Sequence, residues 1–298
     1  MTQNKCCRRG ASLRRRRRRR RKILRSIIFS CSIIAVAVFV AVGSSMIRSG
    51  DGRTNKYDVE AGNNTYDNAV IENSKISEKN KIQNNQSMLD DIMNSTQYPK
   101  QLKDLALKNE EALEFVYDYP AEHVKEHTID LTEEACMDSV PLFVQWDKRW
   151  GYEKYSGNFF AASGCGPTTL SMVVVYLTHN REASPIAVAK YSKEAGYSVD
   201  GSGSSWTLIS EGCMHYGVKA KAVALDESRM KAELDEGHPI VVNVGPGDFT
   251  DTGHFMVITG YDDEGFSIND PNSIEKSGKR WLFKNISSQI RAVWSMYV

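Results

Sequence analysis

The chain reads as an α+β protein, with a helical half followed by an antiparallel-sheet half, behind one transmembrane helix and a flexible stalk. Three observations predict this. Between residues 88 and 237, apolar residues recur at helical spacing and capping residues mark helix starts. After residue 240 the chain changes to short β-branched and aromatic runs separated by turn sequences. Near the N-terminus a long uncharged apolar run follows a block of arginines. Helices segregated from a later set of strands fit an antiparallel sheet better than the alternation of a parallel one.

Residues 1–25 hold thirteen Lys or Arg and no acid, and the rest of the chain carries 25 bases against 37 acids. The formal net charge of +1 conceals this split. Ile27 to Ile47 contains no charged residue. At about 1.5 Å per residue it matches a hydrocarbon core roughly 30 Å thick. Positive charge is retained in the cytoplasm, which predicts a cytoplasmic tail over 1–25, a signal anchor in the lipid membrane over 26–47, and an extracellular remainder. A cleaved signal peptide is the alternative, since Ala41 to Ser45 offers small residues, but the apolar run is long for one. An arginine run also suits nucleic acid, yet with an apolar span directly behind it membrane orientation is the simpler account. Residues 48–87 are rich in Asn, Ser, Lys, Asp and Gly without an apolar period, and read as the stalk.

A helical lead-in is predicted over 88–135, where Leu102, Leu105, Ala106, Ala112, Leu113 and Val116 fit one or two amphipathic helices ending before Pro120. A larger domain is predicted over 136–298. Cys165 opens a buried helix, because Thr168 to Leu177 is almost wholly apolar. Ser184-Pro185 starts a second helix, Ser204 or Ser205 a third through about Tyr216, and Asp226 a fourth ending at Gly237. Strands are predicted at 240–244, 255–259, 265–268 and near 292–298.

Residues 163–171 read Ser-Gly-Cys165-Gly-Pro-Thr-Thr-Leu-Ser. A thiol at a helix N-terminus meets orphan N–H groups and the positive dipole end, which favour the thiolate. Gly164 and Gly166 allow a sharp turn and close approach of another segment. A cysteine nucleophile needs a base and a group that orients it. His254 stands at the entrance of the run Phe255 to Thr259. A hairpin turn centred on 263/264 places Asp270 opposite roughly 255 to 257, within reach of the imidazole.

The ordered set Gln145-Trp-Asp-Lys-Arg-Trp-Gly151, Ser-Gly-Cys165-Gly-Pro-Thr, Gly253-His254-Phe255 and Asn269-Asp270-Pro271 resembles the family of bacteriocin-processing cysteine peptidases, which have the papain-like fold. The resemblance covers roughly residues 95–298 and is strongest over 140–272. It implies Cys165 as nucleophile, His254 as general base and acid, and Asp270 as orienting carboxylate. The family's oxyanion-stabilising glutamine often lies six residues before the cysteine, where this chain has Phe159. Gln145, in a segment where related sequences also carry a glutamine, is the expected donor, with Asn158 or backbone N–H groups as the alternative. No phosphate-binding loop accompanies the domain and only one stretch is long enough to span a membrane, so the transporter role of the fused relatives does not transfer. The expected activity is that of a membrane-anchored extracellular thiol peptidase of a Gram-positive bacterium, acting on a peptide or protein and needing no metal or organic cofactor. A papain-like amidase or transferase acting on cell-wall peptides, and an inactive wall-binding domain, are the competing functions.

His123-Val-Lys-Glu126-His127 also matches the inverted zinc-protease pattern H-x-x-E-H, but charged flanks and the adjacent Pro120 argue for a solvated segment. Cys136, Cys165 and Cys213 fall in the extracellular part. A Cys136–Cys213 disulfide that spares Cys165 and a pair of buried thiols are equally compatible with the sequence.

Overall fold

A computed structural model describes residues 64–298. The basic tail and the expected anchor at 26–47 lie outside the described residues. Among those described, no helix is long and apolar enough to cross a membrane. The chain divides into Met1–Ile82 and Gln83–Val298. The described part of the first unit is the start of helix α1 (Asn64–Asn94), and the second unit carries the fold.

Over 64–87 a helix replaces the expected irregular stalk. The stretch contains neither Gly nor Pro, and its C-terminal end is fixed by the fully buried Ile92. Once a nucleus is held, each added residue gains a hydrogen bond without needing an apolar face. The lead-in continues through α2 (Lys100–Lys108), a 3₁₀ turn at Glu110–Ala112, α3 (Leu113–Tyr117) and α4 (Tyr119–Glu122). Asn109 divides α2 from the turn, its side chain accepting from the N–H of Glu111. The helices at 100–108 and 113–117 end before Pro120 as expected, and Pro120 lies in the first turn of the further short helix α4, where its missing N–H costs nothing. Leu102, Leu105, Ala106, Leu113, Phe115 and Val116 form a small core of their own with Ile92, Phe159 and Ala161. Each fully buried leucine in it is worth roughly 1.5–3 kcal/mol.

The hairpin β1 (Lys154–Tyr155) and β2 (Asn158–Phe159) turns through Ser156 and Gly157, both at positive φ. It leads through α5 (Phe160–Ser163) into α6 (Cys165–Thr178), which is buried without break from Gly166 to Val175. Ser184 caps α7 (Pro185–Glu194), accepting from the N–H of Ala187 at 3.3 Å. The hairpin β3 (Ser198–Val199) and β4 (Gly203–Ser204) precedes α8 (Thr207–Ser210). The third helix was expected to reach Tyr216. It breaks at Glu211 (φ −126°, ψ −48°) and resumes as a 3₁₀ turn.

Strand β5 (Lys219–Ala222) was not foreseen, because Lys-Ala-Lys-Ala on a largely exposed edge carries no apolar signal. Helix α9 (Glu227–Asp235) starts at the expected cap, Asp226 accepting from the N–H of Arg229 at 2.9 Å. The remaining elements are β6 (Ile240–Val244), β7 (His254–Asp262), β8 (Gly265–Asn269), α10 (Ile274–Ser277), β9 (Arg280–Trp281), α11 (Phe283–Ile286) and β10 (Ile290–Tyr297). They build an antiparallel six-stranded sheet in the order β5-β10-β6-β7-β8-β9. Alternation sorts its two faces. Val241, Phe255, Val257 and Met296 pack with Leu170, Val173 and Val174 of α6. Val242, Val244, Met256 and Ile258 pack on the other side with Met230, Phe249 and Ile286. Helix α6 therefore lies against the sheet face that carries Phe255 and Val257 of β7.

Candidate active site

Cys165 is the first residue of α6 and is partly exposed. Gly164 is required for space rather than for an unusual backbone, since its φ is −83° and a Cβ there would meet the Phe160 ring at 2.6 Å. At Gly166 a Cβ would meet Ser204 Oγ at 2.6 Å, so β4 approaches the helix start closely. Burial by itself pushes the Cys165 thiol up. The hydrogen bond and charge of His254, with the N–H groups of Phe255 and Gly166, outweigh it and hold the thiol below its ordinary range.

His254 opens β7 and is buried, paired in register with Val244. Its Nε2–H donates to Asp270 Oδ1 at 2.7 Å. Cys165 also acts on the imidazole by hydrogen bonding and charge, and with Nε2 committed to Asp270 the nitrogen left for the sulfur is Nδ1. Burial opposes the charged ring, but the charge and hydrogen bond of Asp270, then those of Cys165, raise it well above an ordinary imidazole. The two groups titrate as a pair, favouring thiolate and imidazolium together. Asp270 is fully buried and follows β8, whose Asn269 pairs with Val257, so Asp270 lies within the predicted register window. Its Oδ1 also accepts from the N–H of Asn272 at 2.8 Å.

Gln145 is buried. Its backbone N–H donates to Pro271 O at 2.7 Å, and its Nε2 donates to Ala161 O at 2.7 Å, four residues before Cys165. The glutamine thus joins the turn after Asp270 to the segment that enters α6. One of its two amide N–H groups is used in this and one remains. Asn158 instead spends its side-chain oxygen on the N–H of Phe159, and Phe159 is buried beneath the Lys154 ammonium, 3.2 Å from its ring centre. A residue not singled out from the sequence is Thr169. Its buried hydroxyl donates to Phe255 O at 3.1 Å and fixes α6 to β7 one residue beyond His254. The signal for it was a hydroxyl inside an apolar run.

The H-x-x-E-H segment is not brought together. His123 follows the end of α4, bonds Tyr119 O and stacks on the Tyr119 ring, whereas His127 donates to Glu122 O at 3.2 Å. No group of residues suited to hold a metal occurs among the described residues. Trp150 and Phe249 are core residues, while Trp206 is about half exposed. Cys213 is buried, its thiol pushed up to about 11 by burial, and no disulfide joins it to Cys136. Iodoacetamide should therefore alkylate Cys165 of residues 88–298 faster than Cys136 or Cys213, as read by peptide mass mapping. Equal rates at all three would remove the basis for a stabilised thiolate.

Residues 137–298 match the model of the Peptidase_C39 like family. Among solved structures, the peptidase domain of Streptococcus ComA, a bifunctional ABC transporter of a quorum-sensing pathway, is similar at 19% identity. The match covers 53% of this chain and 96% of that one, with a TM-score of 0.38. A putative C39-like peptidase from Bacillus anthracis is similar at 18% identity over 52% of this chain and 94% of that one, with a TM-score of 0.33. No curated protein sequence matches the chain.

Proposed function

Since the chain belongs to the Peptidase_C39 like family, we propose that it is an extracellular thiol peptidase working through Cys165, His254 and Asp270. The observation that carries this is the imidazole held between the thiol and a fully buried carboxylate at 2.7 Å. The Cys165 thiolate attacks the peptide carbonyl carbon. The oxyanion is held by the free amide N–H of Gln145 and by N–H groups at the start of α6. His254 gives its Nδ1 proton to the leaving amine, and a thioester remains on Cys165. The neutral imidazole then takes a proton from water as the hydroxide adds, and collapse releases the acid and restores the thiolate. Asp270 fixes the ring and stabilises its charged form. Peptide profiling of residues 88–298, native beside Cys165→Ala, tests the assignment: cleavage by the native protein alone is expected, and equal cleavage by both ends it.

Gln145→Ala should lower kcat by roughly 10²–10³, the usual cost of one oxyanion donor. Steady-state kinetics that stay within about twofold of the parent would move the role to other N–H groups.

The basic tail and the apolar run behind it support a single-pass anchor, with residues 1–25 in the cytoplasm and the peptidase outside. Protease added to intact protoplasts should then remove the chain beyond about residue 49 and spare the tail. A protected peptidase domain would overturn the extracellular placement. A mature protein starting near Ser44 would replace the anchor by a cleaved signal.

A further inference from the structure

The residues that match the family model begin at 137, yet the turn that carries Asp270 is held from upstream of that point. Asn109 Nδ2 donates to Asn272 O at 2.9 Å. One Glu111 carboxylate oxygen accepts from the Ser273 hydroxyl, and the other accepts from the N–H groups of Ile274 at 2.7 Å and Glu275 at 3.1 Å. The same Ser273 hydroxyl accepts from the N–H of Lys276 at 3.0 Å, and the N–H of Ser273 donates to Asp270 O at 3.2 Å. Asn109 and Glu111 are themselves locked together by the bond from Glu111 N–H to Asn109 Oδ1 at 3.0 Å. Five successive residues after Pro271, Asn272 to Lys276, are thus tied directly or through one hydroxyl to two side chains of the lead-in.

We infer that Asn109 and Glu111 are positioning residues for the proposed triad, holding the 270–275 turn so that the Asp270 carboxylate stays on His254. The inference rests on the peptidase reading of Cys165, His254 and Asp270. Its physical basis is the narrow tolerance of the Asp270–His254 bond. Asp270 leaves the sheet immediately after β8, and its placement depends on the turn that follows. The charged groups that act on the His254 ring are Asp270 and Cys165. Slack in the turn therefore reaches the thiol through one intermediate, the imidazole.

The test is the pH dependence of Cys165 alkylation by iodoacetamide in the full chain in detergent micelles, read by peptide mass mapping. Native protein should react with a midpoint below that of an ordinary thiol. Glu111→Ala should raise that midpoint by about one pH unit and slow labelling near pH 6 about tenfold, since one unit is a tenfold change in thiolate fraction. Glu111→Gln, which keeps one acceptor for the Ile274 N–H, should fall between the two. Asn109→Ala should shift the midpoint in the same direction and supplies a second variant should Glu111→Ala unfold. Folded variants at 109 and 111 that keep the native midpoint while Asp270→Asn moves it would overturn the inference and leave the triad standing. A native Cys165 that titrates as an ordinary thiol would overturn the triad and the inference with it.

Discussion

Cys165→Ala is expected to remove peptide hydrolysis altogether while leaving the fold in place. No other described group occupies the nucleophile's position, so what remains is binding and oxyanion stabilisation, and the fall in kcat should be at least about 10⁴. The structural cost is small. The side chain is partly exposed at the head of α6, and alanine is favoured in a helix. A change in stability of roughly 1 kcal/mol or less is expected by thermal unfolding. Native-level hydrolysis by the variant would sink the nucleophile assignment, and an unfolded variant would show that Cys165 is a packing residue instead.

His254→Ala should lower kcat/KM by about 10²–10⁴, the range spanned by a positioned general acid–base. Asp270→Asn should be milder, because the amide oxygen still accepts from Nε2–H but no longer supplies a charge. The pH dependence gives the sign. Activity needs the thiolate, so it falls as pH drops through the lowered value of the Cys165 thiol. It also needs the imidazolium, so it falls as pH rises through the raised value of His254. Removing the Asp270 charge lowers the imidazolium's stability, and the basic limb should move to lower pH. An Asp270→Asn profile that superimposes on the native one would remove Asp270 from the electrostatics of the site.

Much of the placement of the candidate site residues was legible because they lie at the ends of regular elements. The run Thr168 to Val175 is buried as its composition requires, and strand 240–244 begins and ends at the residues expected. The hairpin arithmetic located Asp270 because β7 and β8 pair around a short turn, with a single register shift between Ile258 and Gly260. What escaped lacked a local signal. Strand β5 has β10 as its partner, and the third helix breaks at Glu211 just before Gly212, where a Cβ would meet Tyr197 at 3.1 Å and Leu208 at 3.2 Å. The contacts of Asn109 and Glu111 span more than 160 residues of chain. Nothing in a polar pair on a lead-in segment reveals that it ends on the turn beside Asp270.

The sheet order has a consequence for how the protein is made. Strand β10, the latest in sequence, lies between β5 and β6 rather than at an edge. A chain emerging from the ribosome can therefore form the β6–β7–β8 meander early, but β5 has no neighbour until residues 290–297 arrive. Closure of the sheet is a late, long-range event, and such pairings are slow. Nascent chains stalled before Ile290 should be protease-sensitive and unable to label Cys165 selectively. Selective labelling of Cys165 is therefore expected only once residues 290–297 have joined the sheet.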